Sequence, residues 1–220
     1  MREEIRIPEV INNILSFKWL PEPRIALKDG HVINPAALMY NRPYSYDERI
    51  EESLTFFARA KYVEFFEPIY RDLTEILCNE DRFGLNIPEA YRRVKTIKEI
   101  SVDDIVNHII SEVGHVRVCI IGLPSALIKE KYFELKARFL GENIRIQLIR
   151  DDDFCSIYMQ ASREGRRKIL YNLATAIYTK LGGTPWILSE PMAEPNSIIV
   201  GIGFGGVEKG VLHRYKLREG

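Results

Sequence analysis

Apolar positions along this 220-residue chain recur with two different spacings, and each change of spacing marks an element. LTFFAR (54–59) reads as a strand. Over 62–77 the side chains Phe65, Phe66, Ile69, Leu73 and Ile76 share one side of a helix. A short strand fits within 92–100. SVDD (101–104) then has the form of a helix cap, with Asp104 three residues after Ser101, and opens a helix that runs to about Val113. HVRVCIIGLP (115–124) reads as a buried strand stopped by Gly-Leu-Pro. A helix over 126–140, the strand IRIQLIR (144–150) and a helix over 164–181 follow, the last ending at Gly182-Gly183, which suits a left-handed cap. NSIIVGIGFGG (196–206) and GVLHRYKL (210–217) read as two further strands joined through Glu208-Lys209.

This order predicts an α/β protein, with a Rossmann-like domain over 48–183 whose parallel sheet carries helices on both faces. Residues 1–47, rich in turn signals, read as an extended leader that must lie on something else. Residues 184–220 hold two strands, too few to stand alone.

Composition narrows the setting. The 31 basic and 31 acidic residues cancel overall, but 1–115 carries 15 basic and 20 acidic residues while 116–183 carries 12 and 7. A basic segment inside a neutral chain points to a local anionic partner. The three cysteines form no C-x-x-C pair and the four histidines are scattered, which argues against zinc and for a reducing, cytoplasmic setting. No run of about 18 uncharged apolar residues is present, and MREEIRIPEV resembles no signal peptide, so no membrane segment is expected.

One residue breaks the pattern. In ILYNLATAIYTKLGG (169–183), Ile169, Leu173, Ala176 and Ile177 recur at helical spacing, and the next position on that stripe is Lys180. A lysine near a helix C-terminus has a plain explanation in the helix dipole. Tyr132 and Lys136, spaced i, i+4, share a face of the preceding helix, and the strand 144–150 sets Arg145, Gln147 and Ile149 opposite Ile144, Ile146 and Leu148. Two lysines, a tyrosine and a glutamine make a donor set suited to one terminal phosphate. GIGFGG (201–206) matches G-x-G-x-x-G but precedes a hairpin rather than a helix, so glycines serving a bulge and turn explain it better than a dinucleotide does. Asp151-Asp152-Asp153 reads as a solvated loop between strand and helix, with a metal site as the lesser alternative.

The combination IGLPS, YFELK, IQ, NLATAIYTKLGGTPW and IIVGIGF resembles prokaryotic Argonaute proteins, in the stretch where their MID domain runs into PIWI. The likeness spans roughly 40–217, with NRPY (41–44) similar to the short motif just before the MID domain. It implies that 48–183 is a MID-like domain holding the 5′-phosphate of a guide strand, and that 184–220 begins an RNase H-like PIWI domain. Matched position by position, it implies a phosphate pocket of Tyr132, Lys136, Gln147 and Lys180, with Asn172 near the first guide nucleotide. The partners it implies are a 5′-phosphorylated guide RNA or DNA, its complementary target, and an effector or completing subunit, in a prokaryotic defence setting.

Two departures qualify it. The position of the first catalytic Asp of active relatives is Gly203, and the remaining catalytic positions would lie beyond Gly220, so the resemblance implies a short, catalytically inactive type and no enzyme. Some relatives complete the pocket with a metal and a C-terminal carboxylate. Here Ala176 stands where a side-chain ligand can occur, which leaves Mg2+ at the phosphate in doubt. The competing expectations are a Rossmann-like enzyme or binding protein for a small phosphorylated metabolite, and an interaction module that uses the lysines only for solubility.

Overall fold

The run Val118–Leu123, VCIIGL, is buried at all six positions, which requires a strand covered on both faces. In the computed structural model, which describes residues 24–32, 34, 38–45, 54–89, 93–98, 101–113 and 117–190, this strand lies at the centre of a parallel sheet. The elements in chain order are β1 (Ile25–Leu27), β2 (Gly30–Val32), β3 (Leu54–Arg59), α1 (Val63–Cys78), β4 (Val94–Ile97), α2 (Val102–Val113), β5 (Val118–Leu123), α3 (Ser125–Gly141), β6 (Arg145–Arg150), α4 (Asp151–Gln160), α5 (Arg163–Leu181) and β7 (Ile187–Leu188).

Four strands form the main sheet in the order β4-β3-β5-β6, all parallel, with Leu54 opposite Val118 and Ile121 opposite Leu148. Side chains along each strand alternate between two cores, as a period of two demands. Phe56, Ile120 and Ile149 join Phe66, Tyr70 and Leu73 of α1 and Leu173, Ile177 and Leu181 of α5 on one face. Phe57, Ile121 and Ile146 join Ile105 and Ile109 of α2 and Leu135 and Phe139 of α3 on the other. The fold is therefore Rossmann-like α/β with helices on both faces, as the strand–helix alternation predicts.

The helix starts follow their local chemistry. Ser101 Oγ accepts the Asp104 amide at 3.1 Å and donates to the Asp104 carboxylate, closing the cap expected from SVDD. Asp151–Asp153 is not a solvated loop. It forms the first turn of α4, where the three carboxylates lie at the positive end of the helix dipole and Asp152 accepts the Asp153 amide at 3.1 Å. The strand expected within 92–100 is confined to Val94–Ile97 among the described residues.

The described residues of 1–47 pair with the end of the domain. β1 and β2 form a hairpin around Lys28-Asp29, and β1 pairs with β7, so a small antiparallel sheet in the order β2-β1-β7 joins residues 25–32 to the chain beyond α5. Ser45 and Thr184 add a bridge through two backbone hydrogen bonds of 3.1 and 2.8 Å. The glycine-rich strand, the second hairpin and Gly203 fall outside the described residues.

Gly182 and Gly183 end α5 for different reasons. Gly182 has φ +105°, the left-handed conformation that only glycine adopts without strain. At Gly183 the limit is space, since a methyl group there would overlap the Tyr178 ring. That ring cannot give way: Tyr178 is fully buried and its hydroxyl donates to the Ser45 carbonyl at 2.8 Å. Gly183→Ala is expected to lower unfolding stability by about 1–3 kcal/mol, read from the urea midpoint. A midpoint within error of wild type would show that the ring can move.

Candidate nucleic-acid interface

Three elements bring the candidate side chains together at β6, the edge strand of the main sheet. On α3, Leu135 and Phe139 point into the core, leaving Tyr132 and Lys136 on the neighbouring exposed ridge. The helix carries non-helical angles at Lys131 (φ −115°, ψ 15°), so the turn bearing Tyr132 and Lys136 takes its own direction after a kink. Lys136 Nζ sits 4.8 Å from the centre of the Tyr132 ring, a cation–π contact. On β6, Ile146 faces the α2/α3 core while Gln147 stands on the α5 side, half-buried. From the last turn of α5, Lys180 Nζ donates to Gln147 Oε1 at 2.9 Å, and Gln147 Nε2 donates to the Leu148 carbonyl at 3.2 Å.

The four residues Tyr132, Lys136, Gln147 and Lys180 thus make one cluster. Asn172 does not join it. It is exposed on α5 eight positions before Lys180, roughly 12 Å away along the helix axis. The core stripe also differs from the expected one. Leu170, Leu173, Ala174, Ile177 and Leu181 fill the interior, and Ile169 and Ala176 are only partly covered. Lys180 therefore lies at the margin of the buried face, where its stem is covered and its ammonium reaches the sheet edge.

The electrostatics of the cluster are one-sided. Neither Lys136 nor Lys180 makes an ion pair among the described residues. Burial, and after it the nearby Lys136 charge, lower the Lys180 pKa below its ordinary value. The unfolded chain therefore holds that proton more tightly than the folded one. The cost of the buried charge is fully present at neutral pH and is relieved as pH rises through the lowered pKa towards 10.5. The unfolding stability of wild type relative to Lys180→Met is expected to rise over that window in urea titrations at a series of pH values. Parallel curves for the two proteins would contradict it.

Sequence reasoning missed Arg145. It lies two residues before Gln147 on the same strand face, and its guanidinium donates to the main-chain carbonyl of Lys180. The alternation of β6 was the available signal. It also missed the pairing of Arg59 with Asp151, 92 residues apart.

A cation does not fit the cluster. Its only neutral side-chain carbonyl oxygen, on Gln147, already accepts from Lys180, and two ammonium groups would repel Mg2+. The acidic run is no better. Asp151 is taken by Arg59, Asp152 accepts from Ser125 Oγ at 2.7 Å, and Asp153 faces Arg150 at 3.3 Å, so the three carboxylates do not converge. Among the described residues no group of three or more His, Cys, Asp or Glu side chains could hold a metal ion. What the cluster can accept is an anion.

Comparison with solved structures places the fold. The chain is similar to Clostridium butyricum Argonaute, in a structure of that protein bound to a guide DNA (5′ deoxycytidine) and a 19-mer target DNA, with a TM-score of 0.56 and 16% sequence identity. The fold is Argonaute-like. The match covers 78% of this chain and 25% of that protein, so this chain corresponds to about a quarter of its length. No family model matches this chain, and no curated protein matches it. No helix among the described residues is long and apolar enough to cross a membrane.

Proposed function

We propose that this protein binds the 5′-phosphorylated end of a guide nucleic acid strand in a MID-type pocket formed by Tyr132, Lys136, Gln147 and Lys180. The observation that carries the reading is the nearness of two ammonium groups, Lys180 bonded to Gln147 and Lys136 over the Tyr132 ring, with no carboxylate paired to either among the described residues. Two like charges brought together in the free protein cost stability unless an anion compensates, and a terminal phosphate supplies close to two negative charges. The exposed part of the Tyr132 ring offers a stacking surface for the first base, worth roughly 1–3 kcal/mol. The Argonaute-like fold supports a guide strand over other phosphates, since the similar protein is bound to guide DNA.

In this reading the chain is the short, catalytically inactive type. It anchors a guide RNA or DNA in the cytoplasm and leaves the paired target to an effector or completing subunit in prokaryotic defence. The region 48–183 is the MID-like domain, 1–47 the leader and 184–220 the start of a PIWI-like domain. Asn172 contributes only if the first nucleotide extends along α5. Mg2+ is not part of the reading, because the donor set is cationic.

The test is binding of one 3′-labelled oligonucleotide with either a 5′-phosphate or a 5′-hydroxyl, at one salt concentration because phosphate contacts make affinity salt-dependent. The expected result is a preference of about tenfold or more for the phosphate, about 1.4 kcal/mol. Equal binding of the two ends would overturn the pocket.

A further inference from the structure

Arg145 is not accounted for by the four-residue pocket. Its guanidinium has five N–H donors, and the bond to the carbonyl of Lys180 leaves others unused. It is exposed, it makes no ion pair among the described residues, and β6 sets it on the same face as Gln147, about 6.7 Å away along the strand. The acid nearest in sequence to Lys136, Glu134, is committed to Lys131 at 3.3 Å. The edge of the sheet thus gathers three cations, Lys136, Lys180 and Arg145.

A terminal phosphate at neutral pH carries roughly 1.5 to 2 negative charges, which the two lysines match. A third cation exceeds that demand by about one unit, the charge of a single internal phosphodiester. We propose that Arg145 holds the phosphodiester linking the first and second nucleotides of the bound strand, so that the site reads a strand end and discriminates against a free mononucleotide. This rests on the 5′-phosphate reading above. The bond to the Lys180 carbonyl then has a second consequence, because it fixes the guanidinium beside the lysine that binds the neighbouring phosphate. Arginine suits this double duty, since its planar fork can donate to a carbonyl and to a phosphate at once.

The experiment titrates wild type, Arg145→Ala and Arg145→Lys with four probes at one salt concentration. These are a nucleoside 5′-monophosphate, the 5′-phosphorylated dinucleotide, the same dinucleotide with a neutral methylphosphonate linkage, and the 5′-hydroxyl dinucleotide. Wild type is expected to bind the phosphorylated dinucleotide about tenfold more tightly than the monophosphate. Neutralising the linkage, or Arg145→Ala, removes that gain while mononucleotide affinity stays within about threefold, and Arg145→Lys restores part of it. The methylphosphonate arm needs no altered protein, so a variant that folds poorly does not spare the proposal.

If the gain survives a neutral linkage, or if Arg145→Ala weakens mononucleotide and dinucleotide alike, Arg145 is a helix cap and the proposal falls with the phosphate pocket intact. If the 5′-hydroxyl dinucleotide binds as tightly as the phosphorylated one, the pocket itself falls and takes this subsite with it.

Discussion

Arg59→Met is expected to destabilise the protein by about 3–5 kcal/mol, because it strands a charge in the interior. Asp151 is fully buried at the first residue of α4, and both its oxygens are held by Arg59 at the end of β3, with Nε 2.6 Å from Oδ2 and Nη2 2.5 Å from Oδ1. The hydrogen bond to Asp151 raises the Arg59 pKa, so the arginine stays charged wherever the fold persists. Removing the arginine leaves the carboxylate with no counter-charge and no water. Asp151→Asn should be milder, about 1–2 kcal/mol, since a neutral amide keeps an acceptor and the side chain of Arg59 is 26% exposed. Replacing both partners, Arg59→Met with Asp151→Leu, should recover most of the loss. Urea unfolding of the three variants checks the order. A loss below about 1 kcal/mol for Arg59→Met would mean that water reaches Asp151.

The double variant Lys136→Ala/Lys180→Ala carries the second large effect, on binding rather than folding. Charge-assisted contacts to phosphate contribute roughly 1.5–3 kcal/mol each. The double substitution is expected to lower affinity for a 5′-phosphorylated oligonucleotide by at least about 100-fold, since two such contacts together exceed about 2.7 kcal/mol. Affinity for the 5′-hydroxyl form should change by less than about threefold. Free of guide, the variant should unfold no earlier than wild type, since it has lost a partly buried charge and its repulsive neighbour. An equal loss for both oligonucleotide ends would assign the lysines to general backbone attraction and remove the terminal pocket.

The sequence made the main sheet legible because its strands are either continuous apolar runs, as in VCIIGL, or clean alternations, as in RIQLIR. Two helix ends were legible from single residues, Ser101 and Gly182. α4 was not, because a ten-residue helix that buries only Asp151 and Tyr158 has no apolar stripe to find. Its three leading acids were the signal, and a helix start explains them better than a loop does. The hairpin of β1 and β2 was also hidden, since Asp29-Gly30 marks a turn but the strands beside it are three residues long.

At the site, spacing brought out Tyr132 with Lys136 and the odd position of Lys180. It could not show that α3, β6 and α5 converge. Nor could it show that Asn172 stays apart, because the buried stripe of α5 is set by what packs against it from α1 and β6. Pairs such as Arg59 with Asp151 depend on the fold and leave no local trace.

The latch at the end of α5 gives residues 38–45 a stake in the proposed pocket. Ser45 bonds the backbone of Thr184 in both directions and accepts the Tyr178 hydroxyl, so it grips the chain two residues before and four residues after Lys180. Peeling residues 38–45 away would release the last turn of that helix and, with it, the ammonium that reaches Gln147. Whatever anion steadies Lys180 must then strengthen the grip on the leader by the same factor that the leader strengthens binding of the anion. Protease sensitivity of that strap is thus expected to be a remote gauge of whether the proposed pocket is filled.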